Sequence, residues 1–286
     1  MVTPSIRRYL YTDKNAQSAS ASTELDITSS SPSLKRKPEP AEANEGASPI
    51  VSAPNKKPKQ RASSSSVAPA SRYAHVTNRL TDSLAPNLIC VFIGVNPGIR
   101  TATAGHAYAH PSNLFWRLAY RSGCTPRLCR PDEDGDLPRL YALGNTNIVR
   151  RPTKDASELS SAEMDAGVAT LEEKCRSFRP ESVCLVGKSI WETVWRVRHG
   201  GRKITKAQFK YGWQDERENM GVVKAKQGEE GWKGARLFVA TTTSGLAAGM
   251  SLHEKEEIWR GLGEFVERRR KEMGITDEGG VPEQSP

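Results

Sequence analysis

The stretch Leu88-Ile89-Cys90-Val91-Phe92-Ile93-Gly94-Val95, followed at once by Asn96-Pro97-Gly98, decides the reading of this chain. An uninterrupted apolar run rich in β-branched residues predicts a strand buried on both faces, the kind found in parallel sheets covered by helices on each side. The Pro-Gly pair that follows predicts a stiff turn. Pro97 fixes its own φ and Gly98 permits close approach or a positive φ, so the Asn96 amide would be held in one place at a buried strand end. A glycine-rich strand-to-helix loop first suggests a nucleotide site, but neither GxxxxGK[ST] nor GxGxxG is present.

Working outward, Ser112 to Ser122 reads as a helix with Leu114, Phe115, Leu118 and Ala119 apolar, Ser112 or Asn113 as N-cap and Gly123 as stop. Leu143 to Val149 reads as a second, more polar strand. Ser161 to Phe178 has the spacing of an amphipathic helix, with Met164, Val168, Leu171 and Cys175 on one face. Val183 to Gly187 is a short buried strand that leads directly into a helix through Trp191 and Trp195. Residues 198–235 are polar and rich in Gly and Lys, a long excursion. Leu237 to Ala240 is the last strand, and Leu252 to Lys271 a closing helix with Ile258, Leu262, Phe265 and Val266 facing inward. Strands alternating with helices predict an α/β fold, a three-layer αβα sandwich around a short, mainly parallel sheet. In such sheets the ligand crevice lies outside the C-terminal strand ends. The loops after Val95, Ile148 and Ala240 are therefore the ones that should carry chemistry.

Hydrophobic residues make up 36% of the 286, too few for a chain packed throughout. Residues 1–72 account for the deficit: a Ser/Pro-rich basic tail without periodic apolar spacing, predicted disordered, as is 273–286, which leaves 73–272 as the domain. The tail carries Lys35-Arg36-Lys37 and the Lys56–Arg61 cluster, read as nuclear import signals. Thr3, Ile6, Tyr9 and Leu10 resemble a sliding-clamp-binding peptide with Thr in place of the usual Gln and Leu in place of the last aromatic. Formal charge is +9 overall and +5 over residues 1–75 (11 Lys and Arg less 6 Asp and Glu), which favours a polyanionic partner and adds salt-sensitive affinity for it. No run of about 20 apolar residues exists and residues 1–10 contain no apolar signal core, so neither a membrane span nor secretion is expected. The five cysteines (90, 124, 129, 175 and 184) are odd in number and form no CxxC pair, which predicts buried reduced thiols.

The run G-V-N-P-G (94–98), then G-H-A-Y-A-H-P-S-N-L-F-W (105–116), resembles the first motif of the mismatch-specific uracil/thymine DNA glycosylases, in which G-I-N-P-G is followed by a G-x-x-aromatic element and N-x-F-W. Three further segments match in order: Gly144-Asn145-Thr146-Asn147-Ile148-Val149 with Arg150 to Thr153, Gly187-Lys188-Ser189-Ile190-Trp191-Glu192, and Thr242-Thr243-Ser244-Gly245-Leu246. The likeness runs from about Arg72 to Arg270.

The resemblance implies a uracil-DNA-glycosylase-like fold and a monomeric, cofactor-free and metal-free nuclear enzyme of base excision repair. Such an enzyme flips a mispaired pyrimidine out of duplex DNA. It further implies that Asn96 positions the attacking water, that Tyr108 is the platform on which the base lies, and that Asn147 reads the base edge. Backbone N–H groups near Gly94 and Ile99 would steady the departing anion. Leu246 would be the wedge, flanked by Ser244, Gly245 and Ala247 facing the opposite strand, with Lys188 near a phosphate. Thr242-Thr243 departs from the family's Asn-Pro or Ser-Ser, and Ala107 replaces a larger residue found in some relatives, which leaves thymine activity open. His106 and His110 have no ligand partners at metal spacing and are read as pocket-lining or structural. An amide does not accept a proton near pH 7, so Asn96 can only position and preorganise, and a slow, selective enzyme is expected. No lysine is placed as a Schiff-base nucleophile, so base release without strand cleavage is expected. The alternatives are a general uracil glycosylase acting in any context, a damage-binding module without turnover, and a generic nucleotide-binding α/β protein.

Overall fold

The computed structural model describes residues 67–225, 230–245 and 249–278. In chain order the elements are β1 (Cys90–Gly94), α1 (Ile99–Ala104), α2 (Phe115–Arg121), α3 (Leu137–Tyr141), β2 (Leu143–Asn147), α4 (Ser161–Phe178), β3 (Ser182–Val186), α5 (Lys188–Arg198), β4 (Gly212–Trp213), β5 (Arg236–Ala240) and α6 (Leu252–Glu272). The strands form a single sheet in the order β2-β1-β3-β5-β4. Four are parallel, and only the two-residue β4 runs antiparallel, against β5.

The apolar runs become strands because both faces of the sheet are covered. Every residue of β1 and β3 is buried. Phe92 packs edge-on to Phe115 of α2 at 5.0 Å and lies near-parallel to Trp259 of α6 at 6.0 Å. Its neighbours Val91 and Ile93 meet Leu171 and Cys175 of α4. Since successive side chains of a strand point to opposite faces, α2 with α6 and α4 with α5 form the two outer layers of an αβα sandwich. Buried aromatics such as Trp191, Trp259 and Phe92, all within 1% of fully buried, each contribute roughly 1.5–3 kcal/mol.

The long helices start where their sequences direct. Ser160 and Glu163 form a reciprocal capping box at α4, as Ser251 and Glu254 do at α6. Some boundaries move. Helix α2 begins at Phe115, three residues later than the spacing predicts, and Asn113 Oδ1 accepts the Phe115 N–H from outside it. The second strand stops at Asn147. On α6, Trp259 and not Ile258 is fully buried, because the helix turns its largest side chain under the sheet. Residues before 73 already pack onto the domain: Ala68 is buried, its N–H donates to Glu158 O at 2.9 Å, and Arg72 pairs with Glu158. The excursion at 198–235 is folded over its described residues; it supplies β4, and Arg198 ties it down through Glu172 and Glu218. All five cysteines are buried and free, and burial pushes the Cys175 thiol up to about 12.

Candidate active site

The parallel register delivers the matched segments to one end of the sheet. Gly94 at the end of β1 lies beside Asn147 at the end of β2. The two loops continue in step: Ile148 N–H donates to Gly94 O and Val149 N–H to Val95 O, both at 2.9 Å. Next to β1, β3 ends at Val186, and the N–H of the following Gly187 donates to Ala240 O at the end of β5. The loop after β5 returns to the first loop, with Leu114 N–H donating to Thr243 O at 2.9 Å.

Gly94 is where a side chain is forbidden. A Cβ there would stand 2.4 Å from Asn147 Oδ1 and 3.1 Å from the Tyr108 hydroxyl. The glycine thus lets Asn147, Tyr108 and the β1 backbone converge on one small space. Tyr108 lies flat on Phe115, centroids 3.8 Å apart and planes within 11°, in the left-handed region at φ 54. Its hydroxyl is buried with no hydrogen-bond partner among the described residues, and burial raises its pKa strongly. Backbone strain and an unsatisfied buried polar group at a loop crowded with other polar side chains make this the candidate site.

Asn96 sits half-buried at the turn after β1. Its Nδ2 donates to Arg151 O and to Thr153 Oγ1, each at 2.8 Å. A carbonyl only accepts, and the Thr153 hydroxyl proton goes to Asp155 O at 2.8 Å. Both partners therefore require N–H, which fixes the amide's orientation and leaves Oδ1 as the free acceptor. The supporting loop is itself anchored, since Arg151 grips Glu163 in the α4 capping box. Arg151, reinforced by the Ser160 N–H and hydroxyl, holds the Glu163 carboxyl down at about 2.

Other expected site residues lie further out. Ile99 heads α1, so its N–H is a first-turn donor without an intrahelical partner. Lys188 heads α5, exposed, 3.5 Å from Glu192 and with its ammonium 4.7 Å from the Phe209 ring centroid. Ser244 and Gly245 are exposed, and a Cβ on Gly245 would strike Ser112 O at 2.5 Å, so this loop lies against the first. Leu246 and Ala247 fall outside the described residues, as does the 3–10 segment. His110 bonds Ser112, and His106 bonds Asp134. A cleft of about 570 Å³ lined by Glu172, Trp195, Arg198 and His199 touches none of these residues, and Arg198 and Glu172 pair on its wall. Among the described residues no cluster of His, Cys, Asp and Glu is placed to hold a metal ion, and no helix is long and apolar enough to cross a membrane.

Sequence reasoning missed the supports. Arg151 and Thr153 stood inside a matched segment without a role. Asp134 stood in an acidic run, Asp132-Glu133-Asp134-Gly135-Asp136, which reads as solvated charge; a lone buried member of such a run leaves no periodic signal.

Comparison with known proteins agrees with this geometry. Residues 81–263 match the family model of the uracil DNA glycosylase superfamily. The chain is 34% identical over 193 residues to a protein named G/U mismatch-specific uracil DNA glycosylase from Schizosaccharomyces pombe, an alignment covering 66% of this chain and 54% of that one. The chain thus spans about half the length of the curated relative it matches.

Proposed function

Because the chain belongs to the uracil DNA glycosylase superfamily, we propose that it hydrolyses the N-glycosidic bond of uracil opposite guanine in duplex DNA, releasing the base and leaving an abasic site. The observation that carries this is the Asn96 amide, whose Nδ2 is held by Arg151 and Thr153, two residues after the glycine on which Tyr108 and Asn147 converge.

In this scheme the mispaired nucleotide leaves the stack, which costs least where pairing is already weak. The pyrimidine lies against Tyr108, and Asn147 reads its edge with an amide that both donates and accepts. Asn96 Oδ1 accepts a hydrogen bond from one water and orients its oxygen toward C1′. As the C1′–N1 bond opens, the sugar takes oxocarbenium character, the electron pair leaves with uracil, and the water oxygen bonds C1′. The water's proton passes to solvent or to the departing base. Backbone N–H groups at Gly94 and Ile99 are the candidates to steady the uracil anion. With positioning and preorganisation alone, and no general base, turnover is slow and depends on a good leaving group. Lys188 and the Ser244–Ala247 loop, with Leu246 as the wedge, serve the flanking backbone and the gap left by the base. The basic tail adds nonspecific DNA affinity and import to the nucleus, and residues 3–10 a sliding-clamp contact.

The test is base release from duplexes containing G·U, A·U, G·T or adducted cytosine, and from single-stranded uracil, read by alkaline cleavage of abasic sites, with Asn96→Ala alongside. The expected result is release from G·U well above the rest, reduced at least 100-fold in the variant. Equal release from single strands would make it a general uracil glycosylase. Tight duplex binding without release would make it a damage-binding module.

A further inference from the structure

Tyr108 serves as platform only while its backbone stays left-handed, a conformation unfavourable for any residue with a Cβ. The restraint comes through the residue before it. Ala107 is buried, and both of its peptide groups are held: its N–H donates to Asp134 Oδ2 at 2.6 Å, and its carbonyl accepts from Trp116 Nε1 at 3.3 Å. The other Asp134 oxygen takes His106 Nδ1 at 3.0 Å. A carboxylate only accepts, so that ring nitrogen carries the hydrogen.

Asp134 differs from its neighbours. Its side chain is 9% exposed, against 56% for Asp132 and for Asp136. Among the described residues no lysine or arginine comes within ion-pair distance of it. A buried carboxylate is costly unless its hydrogen bonds are good, and both of its oxygens are spent on the 106–107 segment. Its backbone carbonyl accepts the Ser83 hydroxyl at 3.0 Å, and Ser83 pairs with Asn145 on β2, the strand that ends at Asn147. One short segment, Pro131–Asp136, thus links the loop that presents Tyr108 to the strand that presents Asn147.

We propose that Asp134 is a positioning residue for base binding: its carboxylate locks the peptide ahead of Tyr108 so that the ring is held against Phe115 with its hydroxyl at Gly94. This rests on the glycosylase reading above for its functional consequence, and on the clamp geometry alone for its structural one.

The experiment has two arms, both on the full chain. In the first, hydrogen exchange of the 100–114 region is compared in wild type and Asp134→Ala. Exchange should rise around residues 106–109 while β1, β2 and α4 stay protected; unchanged exchange there overturns the proposal, whatever the activity. In the second, single-turnover release from a G·U duplex is measured in a double-mutant cycle with Tyr108→Ala. Asp134→Ala should slow wild type by about tenfold, as expected for loss of a hydrogen bond to a charged group, and should cost nothing further in the Tyr108→Ala background. Equal losses in both backgrounds would mean a general structural role and overturn the proposal. Asp134→Asn, whose amide oxygen still accepts the Ala107 N–H, guards against misfolding of the alanine variant. It should stay within about threefold of wild type, and a loss as deep as alanine's overturns the assignment to Ala107. If wild type itself releases no uracil, the functional reading fails while the exchange arm still decides the clamp.

Discussion

The two ends of the parallel sheet use the same backbone device and restrain it differently. At the N-terminal end, Asn87, Ala142 and Arg179 adopt left-handed conformations just before β1, β2 and β3. Ala142 and Arg179 are the C-caps of α3 and α4, and their own N–H groups close onto carbonyls of the helix they end. Asn87 N–H closes onto Phe178 O at 2.8 Å. At the C-terminal end Tyr108 is left-handed too, but it caps no helix; Asp134 and Trp116 hold its neighbour and Phe115 underlies its ring. Strain that ends a helix is offset within a few residues by the cap itself. Strain at Tyr108 is offset by side chains distant in sequence, so it persists only in the assembled fold.

The substitution that should break this contrast most severely is Gly94→Ala. The new methyl meets Asn147 and Tyr108 from a strand paired on both sides, which leaves the backbone no room to yield. Release from G·U should fall by about 100-fold, and urea denaturation should show a loss of roughly 1–3 kcal/mol. A tolerated alanine would mean that the three groups do not converge as described. Next comes Tyr108→Phe, which keeps the stack on Phe115 and removes an unpartnered buried hydroxyl. We expect stability to rise by about 1 kcal/mol in the same assay, with release slowed by less than about tenfold. A loss as large as that of Gly94→Ala would show that the hydroxyl itself touches the base.

At the opposite end, Arg179→Gly relieves a left-handed cap on an exposed residue. It should add roughly 0.5–1 kcal/mol without changing glycosylase rate, which would confirm that strain there is architectural. The smallest effect concerns pH. Glu163 is held at about 2, below its unfolded value, by Arg151 first and then by Ser160. A depressed carboxylate stabilises above its unfolded pKa and loses that contribution as pH falls toward the folded one. Melting temperature should therefore decline from pH 4.5 to 2 more steeply in wild type than in Glu163→Gln. The carboxylate is 33% exposed, so the difference should be a few degrees at most.

Much of the scaffold was legible in the sequence because its signals are local. The β1 run, the capped α4 and the closing α6 each announce themselves by periodicity and end residues. The resemblance pointed to Asn96, Tyr108 and Asn147, and the structure places them at one end of the sheet. What escaped depends on distant partners. Helix α1 is only six residues long, Ile-Arg followed by two Thr-Ala pairs, with no apolar stripe. Strand β4 is two residues long and exists because β5 offers an edge. Trp259 displaced Ile258 from the centre of α6 because the space under Phe92 suits an indole. Asp134 and Thr153 become supports only when residues 27 and 57 positions away arrive beside them.

The locked Asn96 amide has a consequence for how this site can evolve. An aspartate at that position would be a stronger catalyst in isolation, a general base in place of a mere guide. Here it would face two lone-pair bearers, the Arg151 carbonyl and a Thr153 oxygen whose proton is committed to Asp155. Thr153 can be mutated; the Arg151 carbonyl belongs to the main chain and cannot. An aspartate here would set a carboxylate oxygen against the Arg151 carbonyl unless the 150–155 loop is rebuilt first, so a peptide bond keeps the amide at this position.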